Sequence, residues 1–193
     1  MGIAVLWASP DLAGITASAK ERVIEGIRDA GIEAEEIHLN RHRIQCCLAC
    51  GKGGFGRCLD GVCAIQDDVP AIYEKMRQSE ALVFVTPVYW LDLSENFKAL
   101  LDRIRRMETM HNGFLRGRQA LLVACAGGSG AGTVQCLGRL EQTLAHIGIH
   151  TADRIPVERF NQEYMIPALH EAGRNFALKY NSFRFDDIHF YDR

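Results

Sequence analysis

Apolar and polar positions follow two rhythms along this chain. Short and almost wholly apolar runs, such as 3–7, 81–85 and 119–126, are separated by stretches in which apolar residues return every three or four positions. Continuous runs suit strands buried on both faces, and the longer period suits helices with one covered face. Ile3 to Trp7 predicts the first strand, followed by a helix from Thr16 to Ala30 that Gly31 ends as a left-handed cap. Ala34 to Ile37 predicts the second strand. Asp67-Asp68 ahead of Val69-Pro70 signals a helix start, with Val69, Ile72, Tyr73 and Met76 on its apolar face. Ala81 to Val85 predicts the third strand. Ser94 is placed to cap the next helix, which turns Phe97, Leu100, Leu101 and Ile104 inward and Lys98, Asp102, Arg103 and Arg105 outward. Gln119 to Ala126, Val134 to Ile147 with Gly148 as its stop, Thr151 to Val157 and Pro167 to Tyr180 complete five strand–helix units. Such alternation predicts an α/β domain with a parallel sheet covered on both sides.

In an open sheet of this kind, ligands gather beyond the carboxyl ends of the strands where the strand order reverses. The loops after strands one, three and four therefore carry the information. Ser9-Pro10-Asp11-Leu12-Ala13-Gly14-Ile15-Thr16 opens directly into a helix. A phosphate there would meet free amides and the positive helix end, with hydroxyls from Ser9 and Thr16 and a close backbone approach at Gly14. The loop matches neither a dinucleotide glycine pattern nor a Walker loop, and an ordinary strand–helix turn is the alternative. After the third strand, Pro87 stiffens a loop in which Tyr89 and Trp90 offer wide faces to an isoalloxazine or nicotinamide ring; otherwise Trp90 packs under the next helix. After the fourth, Gly127, Gly128, Gly130 and Gly132 leave amides without side chains, fit for the pyrimidine edge of a flavin or for a plain surface turn.

Composition narrows the classes. A chain of 193 residues with 48% hydrophobic content fits one domain with a sizeable core. With 22 basic residues against 24 acidic ones, it has no general attraction for nucleic acid or anionic membrane, which leaves small molecules or proteins as partners. The first residues show no basic region and long apolar segment in succession, so the expectation is a soluble, cytoplasmic protein. Of its 7 cysteines, Cys46, Cys47, Cys50, Cys58 and Cys63 fall in one short segment. An odd number argues against a disulfide scaffold and for reduced thiols, metal ligands or redox chemistry. The histidines show no close metal spacing, since His38 and His42 straddle a strand end, and Asp102-Arg103 reads as a surface or subunit-interface pair. Phe183, Phe185, Phe190 and Tyr191 make the tail at 181–193 a candidate for packing on its own domain or on a neighbouring subunit.

Taken in order, Ser9 to Thr16, Asp67-Asp68, Thr86 to Trp90 with Lys98 and Asp102-Arg103 downstream, and Ala126-Gly127-Gly128 resemble the NAD(P)H-dependent FMN reductase and iron-sulfur flavoprotein group. The resemblance covers most of residues 1–150. It implies a flavodoxin-like three-layer sandwich, with a five-stranded parallel sheet in the order 2-1-3-4-5. One domain would span 1–193, with a cysteine-rich insertion at 44–66. It further implies FMN, its phosphate in the loop of Ser9, Asp11, Gly14, Ile15 and Thr16, its ring lined by Pro87, Val88, Tyr89 and Trp90, and its edge reached from Gly127, Gly128 and Ser129. NADH or NADPH would supply electrons for a quinone, a flavin or another small acceptor, with no side chain required as acid or base. The aromatic tail, and a flat ring that one subunit's loops would leave half exposed, predict a homodimer or homotetramer.

Two departures stand out against that group. Asp11 replaces a common arginine and Ile15 a common asparagine, so the phosphate loop loses a cation and an amide donor. Asp11 is then expected to point outward or to be offset by another cation. Iron-sulfur members carry a compact four-cysteine motif in this same place, and here Gly53 stands where the third cysteine would fall. Cys47, Cys50, Cys58 and Cys63 are the candidate ligands of a [4Fe-4S] cluster, with Cys46 to spare. Zinc on the same thiolates, or thiols without metal, are the alternatives. With a cluster, the chain would be an electron carrier served by a ferredoxin-like partner. Without FMN, it would be a structural or regulatory domain.

Overall fold

The computed structural model describes residues 2–50, 62–110 and 113–182, and in it every expected strand and helix forms. In chain order they are β1 (Ile3–Trp7), α1 (Ile15–Asp29), β2 (Ala34–His38), α2 (Val69–Gln78), β3 (Ala81–Pro87), α3 (Glu95–Met110), β4 (Gln119–Ala126), α4 (Thr133–His146), β5 (His150–Glu158) and α5 (Gln162–Lys179). The strands pair in parallel in the order β2-β1-β3-β4-β5. Strand residues alternate between two cores. Leu6, Phe84, Leu122 and Ala124 face α2, α3 and α4. Val5, Trp7, Val85, Val123 and Cys125 face α1 and α5. Both faces are covered, which is why the central strands read as unbroken apolar runs.

Two expectations about helix ends are corrected. The last helix starts at Gln162, ahead of Pro167, which sits inside it. Asn161 opens that helix by accepting from the N–H groups of Tyr164 at 3.2 Å and Met165 at 2.9 Å. Ser94 stands at the start of α3, its carbonyl accepting from Lys98 N–H at 3.0 Å, but its buried hydroxyl has no hydrogen-bond partner among the described residues.

Helices α1 and α5 are in near backbone contact. A Cβ on Gly26 would lie 1.9 Å from the carbonyl oxygen of His170, and one on Gly173 would lie 2.4 Å from that of Val23. Reciprocal glycines therefore hold α1, and the loop that leads into it, firmly against α5. No described helix is long and apolar enough to cross a membrane.

Candidate functional site

The loops after β1, β3 and β4 meet at one end of the sheet. Val88 N–H donates to the Cys125 carbonyl at 2.9 Å, tying the third-strand loop to β4. A Cβ on Gly127 would lie 3.7 Å from the Ile15 Cγ2 methyl, so the glycine loop touches the start of α1. A Cβ on Gly132 would lie 2.6 Å from Leu91 Cδ2 and 3.0 Å from Leu91 Cα, so only glycine lets these two loops close up. The three loops thus converge at this end of the sheet.

The first loop is held by its own polar groups. The buried Ser9 hydroxyl donates to the Asp11 carbonyl at 3.0 Å and accepts from the Asp11 N–H at 3.2 Å. The exposed Asp11 carboxylate lies over the start of α1, and among the described residues no cation pairs with it. Its Oδ1 accepts from the Ala13 N–H at 2.9 Å, and its Oδ2 lies 2.6 Å from where a Cβ of Gly14 would be. Gly14 begins α1 with no side-chain cap and no acidic residue in the first turn, so the amides of Gly14 to Ala17 have no intrahelical partner. Thr16 is 3% exposed, with its hydroxyl turned inward beside Cys125. Burial pushes that thiol up to about 12 against the smaller downward pull of the Thr16 hydroxyl.

The third-strand loop is a two-residue hairpin. Tyr89 and Asp92 exchange both backbone hydrogen bonds at 3.0 Å, while Trp90 and Leu91 at the tip have φ of 51° and 64°. That is a type I′ turn built without glycine or asparagine, a strained arrangement for two bulky residues. Arg139 of α4 braces it by donating to the Leu91 carbonyl at 3.0 Å and to Asp92 Oδ2 at 2.9 Å. Trp90 is 97% exposed, so it does not pack under α3. The Tyr89 ring is exposed, yet partial desolvation, with the nearby Glu95 carboxylate, raises its phenol above the usual value. Pro87 is buried and Val88 half-buried at the root of the hairpin.

In the glycine loop, Gly127, Gly128 and Ser129 are exposed, and the space around a Cβ on Gly128 is open. Arg159 supports the loop by donating to the Gly128 carbonyl at 3.1 Å. Glu158 holds the start of α4 by accepting from the Thr133 hydroxyl at 2.7 Å. Free amides on the first loop and an uncluttered glycine edge opposite a tyrosine–tryptophan hairpin fit a planar, phosphorylated ligand. The Asp11 carboxylate opposes its charge. A separate cleft of 410 Å³, lined by Gly14, Ile15, Ser18, Gln162, Ile166 and Pro167, opens on the α5 side of the first loop and away from the hairpin.

A family model described as NADPH-dependent FMN reductase matches residues 1–160. The chain belongs to that family. Among curated relatives of this FMN reductase family member, an iron-sulfur flavoprotein of Archaeoglobus fulgidus is 36% identical over 107 residues, 55% of this chain and 50% of that protein. An FMN-dependent NADH:quinone oxidoreductase of Pseudomonas putida is 31% identical over 113 residues, 54% of this chain and 55% of that protein. The chain thus spans about half the length of the curated relatives it matches. Among solved structures, an NAD(P)H:quinone oxidoreductase from Methanothermobacter marburgensis superposes with a TM-score of 0.69 at 21% identity, covering 91% of this chain and 96% of that one. That likeness establishes the flavodoxin-like fold.

The cysteine segment has an anchor that sequence reading missed. Arg103 is 2% exposed, turned into the core and bonded to both oxygens of Asp67, whereas Asp102 pairs with Lys98 on the surface. The surface or interface role expected of Arg103 is therefore wrong. Asp67 accepts from the N–H groups of Gln45 at 2.9 Å and Val69 at 3.2 Å, and Asp68 from that of Arg43 at 2.8 Å. These carboxylates thus hold the segment's two ends together as well as starting α2. Cys63 lies against the Arg103 guanidinium. Cys46 and Cys50 are exposed, Cys47 and Cys63 are half-buried, and all four are free thiols. Among the described residues, no group of three His, Cys, Asp or Glu side chains is placed to hold a metal ion. Cys58 and the aromatic tail from Phe183 onward lie outside the described residues.

Proposed function

We propose that this chain binds FMN where the three loops converge and passes electrons from NADH or NADPH to a small acceptor, a quinone or free flavin. The observation that carries this reading is the mutual packing of those loops, Ile15 on Gly127 and Leu91 on Gly132, around exposed backbone and two exposed aromatic residues. Family membership supports it. FMN, when bound, supplies the hydride and electron chemistry at its ring.

The protein's share is binding and orientation. Amides of Gly14 to Thr16, with Ser9 turning the loop, receive the phosphate at the positive end of α1. Gly127, Gly128 and Ser129 offer amides to the edge of the ring, where fixed dipoles favour the negative charge of the reduced form. Pro87 to Trp90 line the ring face, with Arg139 keeping the hairpin in place. Donor and acceptor would use this one open face in turn. A homodimer or homotetramer that lays a neighbour against Trp90 would cover it.

The described cysteines do not converge on a metal, and Cys47, Cys50, Cys58 and Cys63 stand as candidate thiolates only. The test is to titrate apoprotein with FMN and then follow NADH and NADPH oxidation with quinone or flavin as acceptor. Saturable quenching of flavin fluorescence near a 1:1 ratio, followed by turnover, is expected; no quenching would sink the proposal.

A further inference from the structure

His38 is a buried histidine for which the flavin reading has no task. It ends β2, is 8% exposed, and lies flat on Trp7 with 3.9 Å between ring centroids and 9° between planes. Trp7 is itself fixed, its Nε1–H donating to Glu36 at 2.8 Å with Lys20 Nζ 4.9 Å from its ring centroid. The His38 Nε2 is 2.9 Å from the Ser9 carbonyl oxygen. A carbonyl only accepts, so Nε2 carries the proton of this bond. Nδ1 is buried and has no hydrogen-bond partner among the described residues.

A phenylalanine would stack on Trp7 as well and would leave no bare nitrogen. What the histidine adds is the bond to Ser9, the residue that opens the first loop and whose hydroxyl shapes the Asp11 turn. We propose that His38 is the positioning residue of this loop: its Nε2–H fixes the Ser9 peptide and so aims the loop's amides at the 5′-phosphate of the flavin. The inference rests on the FMN reading and adds to it the means of telling a phosphorylated flavin from an unphosphorylated one. The bond acts on the first loop alone, so the ring-binding hairpin and glycine loop keep their hold on either flavin.

Two substitutions separate the ring from the donor. His38→Phe keeps a stacking ring and loses the N–H, whereas His38→Gln loses the ring and keeps an amide donor near the same place. Dissociation constants for FMN and riboflavin are measured by fluorescence quenching, with thermal unfolding as a check on folding. His38→Phe is expected to weaken FMN about tenfold, the equivalent of one amide hydrogen bond to the phosphate, and to leave riboflavin within about twofold. His38→Gln is expected to return FMN to within about threefold of wild type. If His38→Phe does not fold, His38→Leu takes its place as the variant without a donor. An unchanged FMN-to-riboflavin ratio in the donor-less variant, or a His38→Gln no better than it, overturns the inference while the FMN reading stands. Wild-type protein that binds neither flavin overturns both.

Discussion

Arg103 donates to both carboxylate oxygens of Asp67, and neither side chain has any exposure to solvent. The guanidinium also reaches the carbonyls of Gln45 at 3.2 Å and Ile65 at 3.5 Å, so one ion pair gathers both ends of the cysteine segment onto α3. Arg103→Met would leave a buried carboxylate without its cation and is expected to cost about 3–5 kcal/mol in urea unfolding. Arg103→Met combined with Asp67→Leu should recover most of that loss. Burial alone would raise the Asp67 carboxyl. The Arg103 bond and the Gln45 and Val69 amides outweigh it, and the group ends below its usual value. A lowered folded value stabilises above the unfolded one and is lost as acid titrates the group. The thermal midpoint should therefore fall below about pH 4 in wild type, and less in the double variant.

Asp11 places a carboxylate on the loop proposed to hold a phosphate, with its Oδ1 on the Ala13 amide. Asp11→Asn keeps an oxygen for that amide and removes the charge. The expected outcome is FMN binding tightened by about 1 kcal/mol, of the order of two charges interacting through partly screened solvent, with riboflavin unaffected. Isothermal titration with the two flavins at low and high salt checks it, and the gain should shrink as salt rises.

Trp90 is held at φ 51° on the hairpin tip. Asparagine tolerates that conformation far better than tryptophan, so Trp90→Asn should raise stability by about 1 kcal/mol through relief of strain. The same change removes an exposed ring wall and should weaken FMN by about 1–3 kcal/mol. Opposite movement of the thermal midpoint and the FMN affinity is the signature. If both are unchanged, Trp90 has no part in the site.

Gly26 faces the backbone of α5 at a distance no Cβ tolerates. Gly26→Ala must push the two helices apart and should cost about 2–3 kcal/mol in chemical denaturation, although alanine is the better helix former. A neutral or stabilising result would mean the helices are not so closely apposed.

The architecture was legible because the central strands are buried on both faces and the helices keep strict apolar periods, as at Phe97, Leu100, Leu101 and Ile104, all fully buried. Arg103 sits three residues after Leu100, on that same inward face, and its charge masked what its spacing declared. The hairpin at Trp90 and Leu91 was hidden for a different reason. It uses neither glycine nor asparagine, so no turn residue announces it, and its braces come from Arg139 and Gly132 far along the chain. His38 gave no signal either, because it meets Trp7 through the pairing of β1 with β2. The glycine loop and the first loop stood out since backbone that must approach something leaves glycine in the sequence. The start of α5 was misplaced because proline marks a first turn more often than a second.

The Arg103–Asp67 pair fastens both ends of the cysteine segment to α3. Alkylation, oxidation or exchange of that stretch for another would begin and end at the same fastening, with Gln45 and Ile65 as its natural graft points.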